Sequence, residues 1–113
     1  MEGNVINKDL LRETLAYIEA HPEEWDQTKW ICESVACFAG RACLLSGDRP
    51  IFDPKWRFEA MRVAVGELGH DVGVRRRATD LLGIDEWQAD DLFAQKNTLN
   101  DLRRIVAELC ERE

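Results

Sequence analysis

Residues 34–46, SVACFAGRACLLS, carry one charge in thirteen positions, Arg41, and this stretch limits the fold more than any other. Read as a helix stopped by Gly47, it places Val35, Phe38, Ala42 and Leu45 on one face. Ala36, Cys37, Gly40, Cys43 and Leu44 cover much of the remainder. A helix that is apolar nearly all round belongs in the middle of a domain rather than on its surface. Gly40 costs about 1 kcal/mol of helix propensity relative to Ala, which close approach by another helix or an indole would offset.

The flanking segments read as amphipathic helices. Asn7 can cap the first, with Ile6 and Leu11 as a staple and Leu11, Leu15 and Ile18 as its stripe. His21 before Pro22 ends it, and Pro22 opens a short helical turn through Trp25. Residues 26–32 read as a connector, and the region around Pro50 as a loop. Asp53-Pro54 predicts another helix, with Phe58, Met61, Val65 and Leu68 in line and a turn from His70 to Gly73. Val74, Ala78, Leu81 and Leu82 predict a helix closed at Gly83. Asp85 and Gln88 fit a capping box for the next, and Thr98 caps the last, with Leu99, Leu102, Ile105, Val106 and Leu109 inward. The expectation is an all-α single domain over residues 1–113, a compact bundle of five to six helices around the buried central helix at residues 34–46.

A chain of 113 residues with 45% apolar and 33% charged residues can bury one core without metals or disulfides as supports. No apolar run reaches the length of about 20 residues that spans a bilayer, and MEGNVINKD has no signal-peptide pattern. A cytoplasmic location with no membrane contact is therefore expected, with Cys32, Cys37, Cys43 and Cys110 as reduced thiols. The net charge of −7 divides unevenly: −5 over residues 1–33, +2 over 34–84 and −4 over 85–113.

No set of residues reads as catalytic. Cys32-x4-Cys37-x5-Cys43 lacks the paired short knuckles of structural zinc sites, so neither metal nor cofactor is expected. Adjacent carboxylates at Glu23-Glu24 and Asp90-Asp91 diverge by about 100° on a helix and do not converge on one site. Arg75, Arg76 and Arg77 form the one basic cluster. They begin RRRATDLLGIDEWQADDLFAQ, which superficially reads as helix-turn-helix, but Asp85, Glu86, Asp90 and Asp91 on the second helix would repel phosphates. Four tryptophans in 113 residues are many. Trp25 and Trp30 read as a lid on the small residues around Gly40, while Trp56 and Trp87, near helix starts, are the candidate exposed anchors. Trp25, Asp26, Gln27, Trp30, Cys32, Cys37 and Gly40 form the expected structural motif. Trp56, Trp87, Arg75, Arg76 and Arg77 form the candidate partner-binding set.

The string HPEEWDQTKWICESVACFAGRACLLSG resembles a pattern found in small uncharacterised actinobacterial and actinophage proteins. They share His-Pro, Trp-Asp-Gln, a second aromatic, Cys, and then Ala-Cys-x-Ala-Gly. LLGIDEWQADDLFAQKNTLNDL is similar to the Leu-Gly-Ile/Leu and Leu-Phe segment that follows in them. Those proteins often have Cys-Gly-Thr where this chain has Cys32-Glu33-Ser34, and Trp where it has Arg41. The resemblance implies no assigned reaction, but its phage association implies a protein that binds and modulates a host component. The expected function is accordingly non-enzymatic protein–protein interaction, with self-association left open. The alternatives are a nucleic-acid-associated regulator using Arg75, Arg76 and Arg77, and a thiol or zinc site at Cys32 and Cys37.

Overall fold

Asn7 caps the first helix: its Oδ1 accepts from Leu10 N at 3.0 Å, satisfying an amide that the helix leaves open. In the computed structural model, which describes residues 5–52, 55 and 59–111, α1 then runs Lys8–Ala20. A 3-10 turn at Pro22–Glu24 leads to the two-residue strands β1 (Ile31–Cys32) and β2 (Val35–Ala36) and to α2 (Phe38–Leu45). Next come β3 (Arg49–Ile51), β4 (Arg62–Val65) and β5 (His70–Gly73), followed by α3 (Val74–Leu82), α4 (Glu86–Leu92) and α5 (Leu99–Cys110).

The all-α expectation is therefore wrong: the described residues form a mixed α/β structure of five helices and two antiparallel sheets, ordered β1-β2 and β3-β4-β5. The largest correction falls on the helix expected after Asp53-Pro54. Met61 and Val65 belong instead to the β4 region, and Leu68 stands exposed in the return to β5. Asp53, Pro54 and Phe58 lie outside the described residues. Arg62-Val63-Ala64-Val65 alternates with period two, and its β-branched valines favour a pleated sheet. Val63 opposes Val72 on β5 and Pro50 on β3, and is fully buried. Gly66 and Gly69, at φ 74° and 68°, supply the left-handed backbone of the tight return, which few other residues adopt without strain. The expected turn at residues 70–73 is thus a strand, and so is the expected loop at residues 49–51.

The central helix is also shorter than expected. Residues 31–36 form a hairpin, with Ile31 opposite Ala36 and Cys32 opposite Val35. Cys37 then caps α2, its sulfur accepting from Gly40 N at 3.5 Å. The buried character of the segment holds: Phe38, Ala39, Gly40, Arg41, Ala42 and Cys43 are all buried, and α2 packs against α1 and α3. Leu11 and Ile18 of α1, Leu82 of α3, Leu92 of α4 and Leu102 of α5 complete one continuous core.

What closes on Gly40 is neither a helix nor an indole but the backbone of Trp30. A Cβ on Gly40 would lie 1.9 Å from the Trp30 carbonyl oxygen, which also accepts from Cys37 N at 3.3 Å. The hairpin is held on its other side as well: Trp30 N donates to Glu59 Oε2 at 2.7 Å, and Ala60 N to the Ile31 carbonyl at 2.6 Å. Its turn carries Glu33 at φ 52°, the one non-glycine residue with positive φ among those described.

These two positions predict opposite responses. Gly40→Ala should cost about 2–4 kcal/mol, because backbone rather than a flexible side chain must move. Glu33→Gly should raise stability by about 1 kcal/mol, the strain of a side chain in the left-handed region. Urea denaturation of both variants beside wild type measures the two shifts, and a Gly40→Ala midpoint equal to wild type would contradict the close approach.

Candidate functional site

Trp25, Asp26 and Gln27 turn the chain between the 3-10 turn and the hairpin. Asp26 Oδ1 accepts from Thr28 N at 3.0 Å and Thr28 Oγ1 at 2.6 Å. The Thr28 hydroxyl, followed by the Thr28 amide, holds the Asp26 carboxyl below its ordinary pKa. Gln27 is buried and fully satisfied. Its Oε1 accepts from Trp25 Nε1 at 2.9 Å and Phe38 N at 3.2 Å, and its Nε2 donates to the Leu92 and Ala94 carbonyls, both at 3.1 Å. Two donors facing the oxygen and two acceptors facing the nitrogen fix the amide orientation. Trp25 and Trp30 are half-buried against the core. Around Gln27, Trp30, Cys37 and Phe93 there is only a dimple of about 10 Å³, space for a single water.

The cysteines are all free thiols, with Cys32 and Cys110 half-buried. Burial pushes the Cys37 thiol up to about 11, against the smaller opposing effect of the Gly40 amide. Burial, with the nearby Asp48 carboxylate adding to it, pushes Cys43 up to about 12. A helix N-terminus ordinarily favours a thiolate, but at Cys37 desolvation outweighs it. His21 stacks on Tyr17 with ring centroids 4.2 Å apart and points Nδ1 at the Tyr17 carbonyl, 3.1 Å away. Among the described residues no three His, Cys, Asp or Glu side chains are grouped to hold a metal ion, and no helix is long and apolar enough to cross a membrane.

The charged residues are deployed one by one. Arg41 lies in the core with its guanidinium 4.6 Å from the centre of the Tyr17 ring. It donates to the carbonyls of Glu24 at 3.2 Å and Ser34 at 3.5 Å, with the Glu24 carboxylate 3.6 Å away. The three consecutive arginines separate. Arg75 bridges to Glu86 at 3.2 Å and Asp90 at 2.6 Å, joining α3 to α4. Arg77 grips Asp48 through two bonds of 2.8 and 3.2 Å, and the Asp48 side chain is only 3% exposed. Arg76 is exposed and makes no ion pair among the described residues. An open groove of about 350 Å³ between α3 and α4 is lined by Arg75, Arg76, Thr79, Asp80 and Glu86.

Of the expected anchors, Trp56 lies outside the described residues. Trp87, in the first turn of α4, is 84% exposed. The residue missed by sequence reasoning is Asp48, the buried partner of Arg77; Asn97 reads in the sequence as the residue that breaks the Asp85 helix, and its side-chain bonds are what the sequence leaves out. Asn97 Nδ2 donates to the carbonyls of Asp91 at 2.7 Å and Leu92 at 3.1 Å, closing the end of α4. A capping-type Asn after a helix is a visible local signal; nothing near Asp48 in sequence points to residue 77.

Arg77→Ala should therefore lower stability by about 3 kcal/mol, since it leaves a buried carboxylate unpaired, whereas Arg76→Ala should stay within about 0.5 kcal/mol. Chemical denaturation of the two variants checks the contrast. The thiols give a pH dependence. Their folded pKa values lie above the ordinary value of 9.0, so their contribution is complete below pH 9 and is lost as pH rises toward 11 for Cys37 and 12 for Cys43. Each contributes a fall of about 1.4 kcal/mol per pH unit within its window. The denaturation midpoint of wild type should fall more steeply there than that of Cys37→Ala. Compared with known proteins, the chain matches no family model, no curated protein and no solved structure.

Proposed function

We propose that this chain is a non-enzymatic protein–protein interaction module of the cytoplasm, and, following its resemblance to actinobacterial and actinophage proteins, that its partner is a host bacterial protein. The observation that carries the reading is the indole of Trp87, 84% exposed on a short helix anchored at both ends. Asp85 and Gln88 form a reciprocal capping box at its start, and Asn97 closes its last carbonyls. A large aromatic held out on a rigid support loses little freedom when it docks, which is how tryptophan anchors contribute to interfaces.

The alternatives fit less well. Arg75 and Arg77 are already engaged by carboxylates, which leaves Arg76 as the member of the cluster with no ion pair among the described residues to meet a phosphate backbone. Cys37 is held protonated by burial, which works against nucleophilic or metal chemistry there.

Wild-type protein immobilised against an actinobacterial lysate should retain a defined protein that Trp87→Ala loses, alone or combined with Trp56→Ala, while Leu68→Ser, altering another exposed apolar residue, keeps it. Equal retention by wild type and Trp87→Ala would overturn the assignment of the surface.

A further inference from the structure

The face of α4 has a charge character that narrows the partner. Trp87 shares its face with Asp90 and Asp91, three and four residues on, and both are exposed. From Asp85 to Asp91 the chain carries four carboxylates and no cation. The cation that reaches them from the rest of the described structure is Arg75, shared between Glu86 and Asp90. Arg75 is itself drawn toward the core side of α4, with its guanidinium 6.0 Å from the Phe93 ring. Asp85 spends an oxygen on the Gln88 amide, and the Asp91 side chain has no partner among the described residues. Neither cation–ring contact in the described structure involves Trp87.

An exposed indole beside an uncompensated carboxylate offers two recognition elements for one kind of side chain. The negative face of the ring attracts a guanidinium or ammonium, and the carboxylate one turn away can accept its N–H groups. The aliphatic stem of the same side chain covers the ring edge. We propose that the α4 face formed by Trp87, Asp90 and Asp91 docks an arginine- or lysine-bearing segment of a partner protein, with the cationic side chain over Trp87 and its charge against Asp91. This rests on the interaction-module reading and specifies the chemistry of the partner. An acidic partner, a nucleic acid or a membrane of anionic lipid would each meet repulsion on this face.

The test uses the full chain and three peptides of one length and one apolar scaffold, bearing Arg, Gln or Glu at the same positions. Two-dimensional NMR follows the Trp87 indole N–H and the amides of α4. The Arg peptide should shift these signals saturably, and raising salt from about 20 to about 200 mM should weaken the effect. Trp87→Ala and Asp91→Asn should each reduce its affinity roughly threefold to tenfold. Both sites are exposed, so both variants should fold as wild type does. Equal shifts with the Gln peptide, or an Asp91→Asn variant binding as tightly as wild type, would overturn the proposal. So would concentration-dependent shifts of the Trp87 indole without peptide, which would identify a second copy as the occupant. A lysate partner lost in Trp87→Ala but indifferent to Asp91→Asn and to salt would leave the interaction reading standing and remove this one. A partner retained equally by Trp87→Ala, alongside selective Arg-peptide binding, would remove Trp87 as the anchor for that partner and leave the peptide-binding face standing.

Discussion

The side-chain amide of Gln27 joins three parts of the chain that lie far apart in sequence. One residue between the 3-10 turn and the hairpin bonds to the Trp25 indole, to the first amide of α2, and to two carbonyls at the end of α4. The energetic asymmetry matters more than the count. A satisfied buried amide contributes modestly, whereas a buried amide missing a partner costs about 1–3 kcal/mol for each group left open. Three segments must therefore arrive together, and a displacement of any one leaves polar groups stranded inside the core. The end of α4 is tied down from the inside, and Trp87 projects from the same helix on the outside.

Charges in this fold follow the same economy. Arg41 would be forbidding in the central helix if unpaired, but carbonyls, a carboxylate and the Tyr17 ring surround it. Asp48 is tolerated because Arg77 meets it with two bonds. In both cases a charge links elements distant in sequence, and its removal leaves its partner exposed to the cost of burial.

Local rules were legible. The caps at Asn7, Asp85 and Thr98 and the stripes of α1, α3 and α5 follow from neighbours within one or two turns. The sheet was not, because strands of two to four residues carry too few positions to separate a period of two from one of 3.6. Met61, Val65 and Leu68 fit a helical stripe, while the alternation through Val63 fitted a strand equally well. The close approach at Gly40 was readable from its missing side chain; that a carbonyl makes it was not. The two carbonyls that accept from Gln27 lie 65 and 67 residues away, beyond any spacing rule. The three arginines could have been read better: consecutive helical residues point about 100° apart, so Arg75, Arg76 and Arg77 could not have shared one face.

Glu33 has a consequence for how the molecule breathes. A hairpin of two-residue strands has few bonds to hold it, and a side chain in left-handed backbone at its turn lowers the cost of opening further. The carbonyls of Lys29 and Trp30, in the segment leading into β1, cover the amide of Cys37, and the Trp30 carbonyl also faces its thiol. Ile31 and Ala36 of this hairpin belong to the buried core, so an opening that uncovered that thiol would also pull core residues out of place, and the strain at Glu33 lowers the cost of that opening.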